Sequence, residues 1–251
     1  MRKQYTNPPV TEAVCEFRLS PDTGWDLTVS GLLYEKLRGE FSIKEQRLFS
    51  ALQISQGPEG LHQQNKTEER VLFFNESRNV FVQVGARLLA INCLKPYPGW
   101  NDFSVYIEKA FDALKGVIEI KGLQRLGLRY INHIEISSSN EINGVDIDDY
   151  FEFRPFLGPG LPQRLEEFLL GCTLQYEQRR DLCKIALSRS IPNLSSSHAF
   201  SLDLDYYMAM PMAVSIDQAL KWVDETAHMN LETAFEGCIT GKLREIFQEV
   251  K

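Results

Sequence analysis

The chain has 251 residues, of which 43% are hydrophobic and 24% charged, a balance typical of folded domains and not of disordered polypeptides. Its formal charge of −7 excludes a surface built throughout to neutralise a nucleic-acid backbone. No stretch approaches the roughly 18 consecutive apolar residues of a membrane-spanning helix, and Pro8 and Pro9 interrupt the N-terminus where a signal peptide needs an apolar run. We therefore expect a soluble, cytoplasmic protein without a membrane partner.

The first part of the chain contains predicted strands and two predicted helices. Pro8 and Pro9 predict an extended entry into a strand at the edge of a sheet, or near it, on which Glu16 and Arg18 share a face. Apolar residues at steps of three and four predict the helices, and Gly116 is expected to end the second one in a left-handed conformation. The strands are predicted at 12–19, 48–54, 70–75, 79–93 and 123–136, and the helices at 26–41 and 102–116.

The second part repeats this pattern in a different order. Alternation at 168–176, 181–189 and 200–210 predicts a three-stranded antiparallel meander. Ser215 and Gln218 have the form of a capping box, and the helical pattern that follows runs for about 30 residues, with a kink expected near residues 229 and 230 or near 237 and 241.

These elements predict an α+β fold. We expect antiparallel sheets in two similar halves packed against helices, with a long C-terminal helical segment. The polar loop 137–143 is the best boundary, so the halves are 1–136 and 137–251, either as separate domains or around one shared core. The five cysteines are odd in number and widely spaced, which predicts free thiols, and no motif indicates a cofactor.

Two groups of charged residues are candidates for chemistry. Arg125, Arg129 and His133 fall on one face of a predicted strand and would bind an anion; the alternatives are a solvated sheet face or pairing with acidic strands alongside. Asp203 and Asp205 stand two apart on another strand, so their carboxylates share a face and would suit a divalent metal; an ordinary wet strand face is the alternative. Met208, Met210 and Trp222 would supply apolar surface to an interface, or else pack in the core.

Several stretches of the chain carry a family resemblance. The pattern NPPV-x-EA-x-x-EFR occupies residues 7–18 and LGLRYIN occupies 126–132, and further matching residues are Trp25, Asp26, Gly31, Phe235, Glu236, Ile239, Thr240 and Leu243. Over nearly its whole length the chain resembles a sporadically distributed, uncharacterised prokaryotic family of about this size. The resemblance implies no reaction, cofactor or catalytic residue. By analogy with other patchily distributed genes, it implies an accessory role in defence or toxin neutralisation.

These observations favour a non-catalytic binding protein. We expect it to form a homo-oligomer and to present a sheet face or the C-terminal helix to a protein partner encoded nearby; a nucleic-acid partner is not favoured. The alternative is a metal-dependent phosphoesterase or nuclease that uses Asp203 and Asp205 as ligands, with Arg129 and His133 stabilising the anion. A sensor of a small ligand is a third reading.

Overall fold

The fold is built around one antiparallel sheet. The computed structural model describes residues 4–57, 60–137, 145–163, 165–193 and 197–250. The strands in chain order are β1 (Val10–Leu19), β2 (Ile43–Gly57), β3 (Gly60–Phe74), β4 (Val80–Gly85), β5 (Leu88–Leu94), β6 (Leu123–Ser137), β7 (Leu169–Tyr176), β8 (Asp181–Ser190) and β9 (Ser197–Met208). In space they follow the order β2-β3-β4-β5-β1-β6-β9-β8-β7, so both predicted halves contribute to a single sheet of nine strands.

The prediction of separate sheets in two similar halves is therefore wrong. One antiparallel pairing joins the parts: β6 pairs with β9 from Gly127 opposite Tyr207 to Ser137 opposite Ser197. Within the first part, β1 pairs with both β5 and β6. β1 is the fifth of nine strands, so it lies at the centre of the sheet and not at an edge. Pro8 and Pro9 precede the strand, and therefore they do not interrupt its pairing on either side.

The helices begin and end close to their predicted positions in the first part of the chain. They are α1 (Thr28–Leu37), α2 (Trp100–Lys115), α3 (Ala219–Trp222), α4 (Met229–Cys238) and α5 (Gly241–Ile246). Gly116 after α2 has φ of −80°, so the left-handed ending predicted there is wrong; Gly99, before α2, has φ of 102° instead. None of the helices in the described residues is long and apolar enough to cross a membrane.

The prediction of a long C-terminal helix, made from periodicity, is also wrong. A continuous helical run occupies 216–238, about 23 residues, and includes a π-helical segment, Val223–His228, between α3 and α4. Ile239 is extended and forms a bridge with Phe151. The amide of Glu152 donates to the carbonyl of Cys238, and the amide of Thr240 donates to that of Tyr150. This pairing with a distant segment ends the run, and α5 begins a new helix.

The main core lies between the helices and one face of the sheet. Every helix from α1 to α5 contributes buried side chains to it, and so do the alternating residues Ala13, Cys15, Phe17 and Leu19 of β1. Phe17 stacks on Phe111 of α2 with ring centroids 4.3 Å apart. We call the opposite face the open face; it carries a smaller cluster, made by Leu72, Phe74 and Phe81.

The stacked pair gives a direct test of this packing. Phe111 is fully buried, so Phe111→Ala is expected to lower the free energy of unfolding by about 3–5 kcal/mol through lost burial and a cavity. Val105 lies on the same helix but is 56% exposed, and Val105→Ala should change stability by less than about 0.5 kcal/mol. Urea denaturation of both variants measures the difference. Equal, small effects would show that α2 does not pack on β1 as described.

Candidate functional site: a charged belt on the open face

Six charged side chains from three adjacent strands, β1, β6 and β9, meet on the open face. We call this set the charged belt; it consists of Glu16 and Arg18 (β1), Arg125 and Arg129 (β6), and Asp203 and Asp205 (β9). The registers explain why they meet. Glu16 lies opposite Gly127, and Arg129 lies opposite Asp205, so residues of alternating charge share one face of adjacent strands.

Arg125 is the centre of the belt. Its Nη1 donates to Glu16 Oε1 at 2.8 Å, and its Nη2 donates to both carboxylate oxygens of Asp205 at 2.8 Å. The guanidinium carbon lies 4.8 Å from the ring centroid of Tyr207. One guanidinium therefore joins β1, β6 and β9 through side-chain contacts, in addition to the backbone hydrogen bonds of the sheet.

A glycine makes this position available to Arg125. Gly127 lies between Glu16 and Tyr207 in the sheet, two residues along β6 from Arg125. A Cβ at residue 127 would stand 2.7 Å from Nη1 of Arg125. Glycine is unfavourable inside a strand unless something approaches the backbone closely, and here the approaching group is the guanidinium.

Outside Arg125, the belt consists of pairs within one strand or between neighbours. Arg18 Nε donates to Glu16 Oε1 at 2.8 Å. Arg129 Nε donates to Asp203 Oδ1 at 2.8 Å, and its Nη2 bonds the second oxygen, which makes the pair bidentate. Each arginine of the belt is thus bound to a carboxylate, and each carboxylate is bound to an arginine.

Burial and ion pairing shift the pKa values of Glu16 and Asp205, the two carboxyls bound to Arg125, in opposite directions. Burial acts to raise the pKa of Glu16, but the hydrogen bond from Arg18 and the charge of Arg125 outweigh it, and the pKa is lowered below its ordinary value. For Asp205, burial is the larger effect; it raises the pKa although Arg125 acts to lower it. The hydrogen bond to Asp203 raises the pKa of Arg129, so that guanidinium stays charged.

A polar ladder extends from the belt toward β3. Asn92 Nδ2 donates to Glu12 Oε1 at 2.6 Å, Gln83 Nε2 donates to Asn92 Oδ1 at 2.7 Å, and Arg70 Nη1 donates to Gln83 Oε1 at 3.3 Å. Gln83 and Asn92 are buried although they point away from the main core. The ladder satisfies their amides, so the polar character of the open face continues beyond the belt.

The structure brings together four of the five residues predicted to bind an anion or a metal. Arg125, Arg129, Asp203 and Asp205 belong to the belt, where they pair with each other. His133 lies on the same face but about 13 Å further along β6 than Arg129. Its imidazole is near Ser190 Oγ at 3.4 Å and Glu135 Oε2 at 4.0 Å. It belongs to a separate polar group near the end of the strand.

The residues predicted to form an interface are not on one surface. Met208 and Trp222 are 1% and 6% exposed and belong to the main core, whereas Met210 is 53% exposed. The indole nitrogen of Trp222 donates to the buried Asp181 at 3.3 Å. Burial therefore assigns Met208 and Trp222 to packing.

A buried polar group on the helix side was missed by sequence reasoning. His228, at the end of the π-helical segment, stacks on Trp100 with ring centroids 4.0 Å apart. Its Nδ1 is 3.2 Å from the hydroxyl of Tyr130, and its Nε2 is 3.3 Å from Glu232. Burial raises the pKa of Tyr130. These contacts fix the helical run against β6, and the only sequence signal was a histidine within an apolar helical stripe.

The belt borders a depression in the open face. All of its residues except Asp203 line this depression of about 350 Å³, together with Val14 and Gly127. Among the residues that the structure describes, no group of three or more His, Cys, Asp or Glu side chains could hold a metal ion. No protein-family model matches the chain, and no curated protein matches it significantly. The family resemblance noted above therefore stays a prediction.

The role of the glycine is testable with a matched pair of variants. Gly127→Ala is expected to displace the guanidinium of Arg125 from Glu16 and Asp205; because that group is the end of a flexible side chain, the free energy of unfolding should fall by no more than about 1 kcal/mol. Gly171 is also a strand glycine, but a Cβ there would meet only the carbonyl oxygen of Ile185, at 3.8 Å. Gly171→Ala should be neutral or slightly stabilising, because alanine has less backbone entropy to lose. If urea denaturation gave the two variants the same sign, this account of Gly127 would be wrong.

The belt also predicts a pH dependence. The lowered pKa of Glu16 means that its ionised form stabilises the fold at neutral pH, and this contribution is lost as pH falls through the folded-state pKa. The raised pKa of Asp205 has the opposite effect. The protonated Asp205 carboxyl stabilises the fold at low pH, and this contribution to stability is lost as pH rises through the folded-state pKa.

Replacing Arg125 tests both shifts. Arg125→Met removes the shared cation, so NMR titration should show that the pKa of both carboxyls rises. The stability lost in this variant should be greatest near pH 7 and should shrink toward about pH 3, because protonated carboxyls no longer attract the guanidinium. A loss independent of pH would mean that Arg125 acts by packing on Tyr207 instead.

Proposed function

We propose that the chain is a non-catalytic binding protein of the prokaryotic cytoplasm, and that its open face, centred on the charged belt, docks a folded protein partner. One observation supports this most strongly. The arginines that would grip a free anion and the aspartates that would hold a metal are bound to one another. A small anion or a metal ion would have to displace these partners before it could bind.

The charge of the belt favours a protein over a nucleic acid. Three arginines face three carboxylates, so the belt has no formal net charge, and it lies on a chain with a charge of −7. A phosphate backbone is bound by clustered Lys and Arg that remain available to it. A protein surface carries both signs, so its own charges can complement an alternating pattern of this kind.

The shape of the open face supports the same conclusion. The helices α1 to α5 pack on the other side of the sheet, so none of these described helices covers the belt or its depression against a large partner. Within the belt, the Arg129–Asp203 pair is the more exposed, so it contributes little to stability but can set which partner binds and in what register. We propose that the partner is encoded by a neighbouring gene. A role in defence or toxin neutralisation depends on the family resemblance alone and stays a prediction.

The alternative function, a metal-dependent phosphoesterase or nuclease, has less support. It needs Asp203 and Asp205 free to coordinate an ion, whereas each accepts hydrogen bonds from an arginine. No observation on the described part of the chain favours it over docking, and the alternative stays a prediction.

A charge swap separates recognition from folding. The double variant Arg129→Asp with Asp203→Arg keeps an ion pair within the chain but reverses the charges presented to a partner. We expect its melting temperature to stay within a few degrees of the wild type, and its affinity for the partner to fall by about tenfold or more. The partner is sought by co-expression with the products of adjacent genes, and the affinity is measured by calorimetry.

A second swapped pair serves as the control. Arg154 Nε donates to Asp148 at 2.7 Å outside the belt, so Arg154→Asp with Asp148→Arg reverses a comparable surface pair. This control should bind the partner as the wild type does. If the belt swap bound equally well, the open face would not be the docking surface.

A further inference from the structure

The two edges of the sheet carry different side chains where they border the body of the sheet. β2 and β7 are the outermost strands, and in the part of the chain that the structure describes each has one side without a neighbouring strand. Such an edge presents backbone N–H and C=O groups to any other extended chain, and proteins normally blunt it with charges, proline or a bulge.

Where β2 borders the body of the sheet, charged side chains oppose its pairing with a further strand. β3 pairs with β4 only over its last four residues, which lie opposite the first four of β2. In and next to this part β2 carries Lys44, Glu45 and Arg47, and Glu45 pairs with both Arg47 and Arg78. A second strand could approach here only by displacing or desolvating these charges.

The β7 edge carries no such protection. Its eight residues, with the sequence LLGCTLQY, include no charged residue and no proline. Leu169 is 79% exposed and Leu174 is 41% exposed, and these two residues lie on opposite faces of the strand. The register with β8 is regular from Leu169 opposite Ser188 to Tyr176 opposite Asp181, so no bulge twists the edge away.

We propose that β7 is the interface of a homodimer, in which the β7 strands of two copies pair antiparallel, edge to edge, and join their sheets. The occupant of the edge is a second copy because an antiparallel pair related by a two-fold axis is self-complementary by construction. In this pairing the exposed Leu169 and Leu174 of each copy lose part of their contact with water.

Charge bears on where two copies can meet. Two copies that each carry −7 repel one another, and this repulsion opposes their contact least at a segment without charge. β7 is such a segment, and its pairing uses backbone hydrogen bonds that need no complementary charges. This interface is separate from the charged belt, and the dimer goes beyond the proposed docking function.

Lysines on the strand test the pairing without disturbing the fold. Leu169 and Thr173 are exposed and on the same face of β7, so Leu169→Lys with Thr173→Lys should leave the melting temperature nearly unchanged. Across the two-fold axis the new charges repel, and the dissociation constant should rise by roughly 100-fold. The matched control is Leu27→Lys with Val105→Lys, two exposed apolar residues in the helical part of the chain.

Size-exclusion chromatography with light scattering, at a protein concentration of about 10–100 μM, measures the molar mass of each variant in solution. The wild type and the control should have twice the chain mass of 28.8 kDa, and the lysine variant should have one chain mass. Mixing it with Leu169→Glu, Thr173→Glu should restore a dimer. Hydrogen exchange should show amides of 169–176 more protected in the wild type than in the lysine variant.

A monomeric wild type, or a lysine variant that still dimerises, would overturn the proposal. Protection of 169–176 that did not change between these proteins would also contradict it. The variant Arg129→Asp with Asp203→Arg should remain dimeric, because the belt is not part of the β7 interface. Loss of partner binding and loss of dimerisation can therefore be distinguished.

Discussion

The guanidinium of Arg125 is the interaction on which the open face depends. It is shared by Glu16 and Asp205, which come from strands on either side and are separated from it by 109 and 80 residues along the chain. Both carboxyls are largely buried, with side chains 18% and 22% exposed, and without the cation two negative charges would face each other at low solvent exposure. Gly127 is part of the same arrangement, since a side chain there would occupy the position of the guanidinium. The glycine in β6 thus leaves room for the position in which one guanidinium contacts carboxylates of two neighbouring strands.

This arrangement explains why residues that indicate an anion site and a metal site in the sequence are paired with each other in the structure. Taken separately, two arginines on one strand favour an anion site, and two aspartates on another favour a metal site. Because β6 and β9 are adjacent and in register, the two sets neutralise each other. What remains is a patterned surface with no net charge, and such a surface discriminates between partners mainly through the arrangement of its charges.

Local pattern predicted much of the secondary structure and part of the belt. Alternation placed Arg125, Arg129 and His133 on one face of β6, and the same rule placed Asp203 and Asp205 together on β9. Pairing between distant strands left no comparable signal. Neither the central position of β1 nor the end of the helical run at Ile239 follows from residues nearby, because each is set by a segment about 80 residues away or more. Gly127 was the missed signal, since a glycine inside a strand indicates close approach to the backbone.

The geometry of an antiparallel sheet connects the two proposed surfaces. In a dimer paired through β7 the two-fold axis is perpendicular to the joined sheet, so the open faces of both copies lie on the same side. β6 is separated from β7 by β9 and β8, and with a strand spacing of about 4.8 Å the two belts lie about 35 Å apart. A partner that is itself two-fold symmetric, or that carries two sites at this separation, would then bind both belts at once. The second contact would form at a high effective concentration, so weak docking at each neutral belt would add up to firm binding.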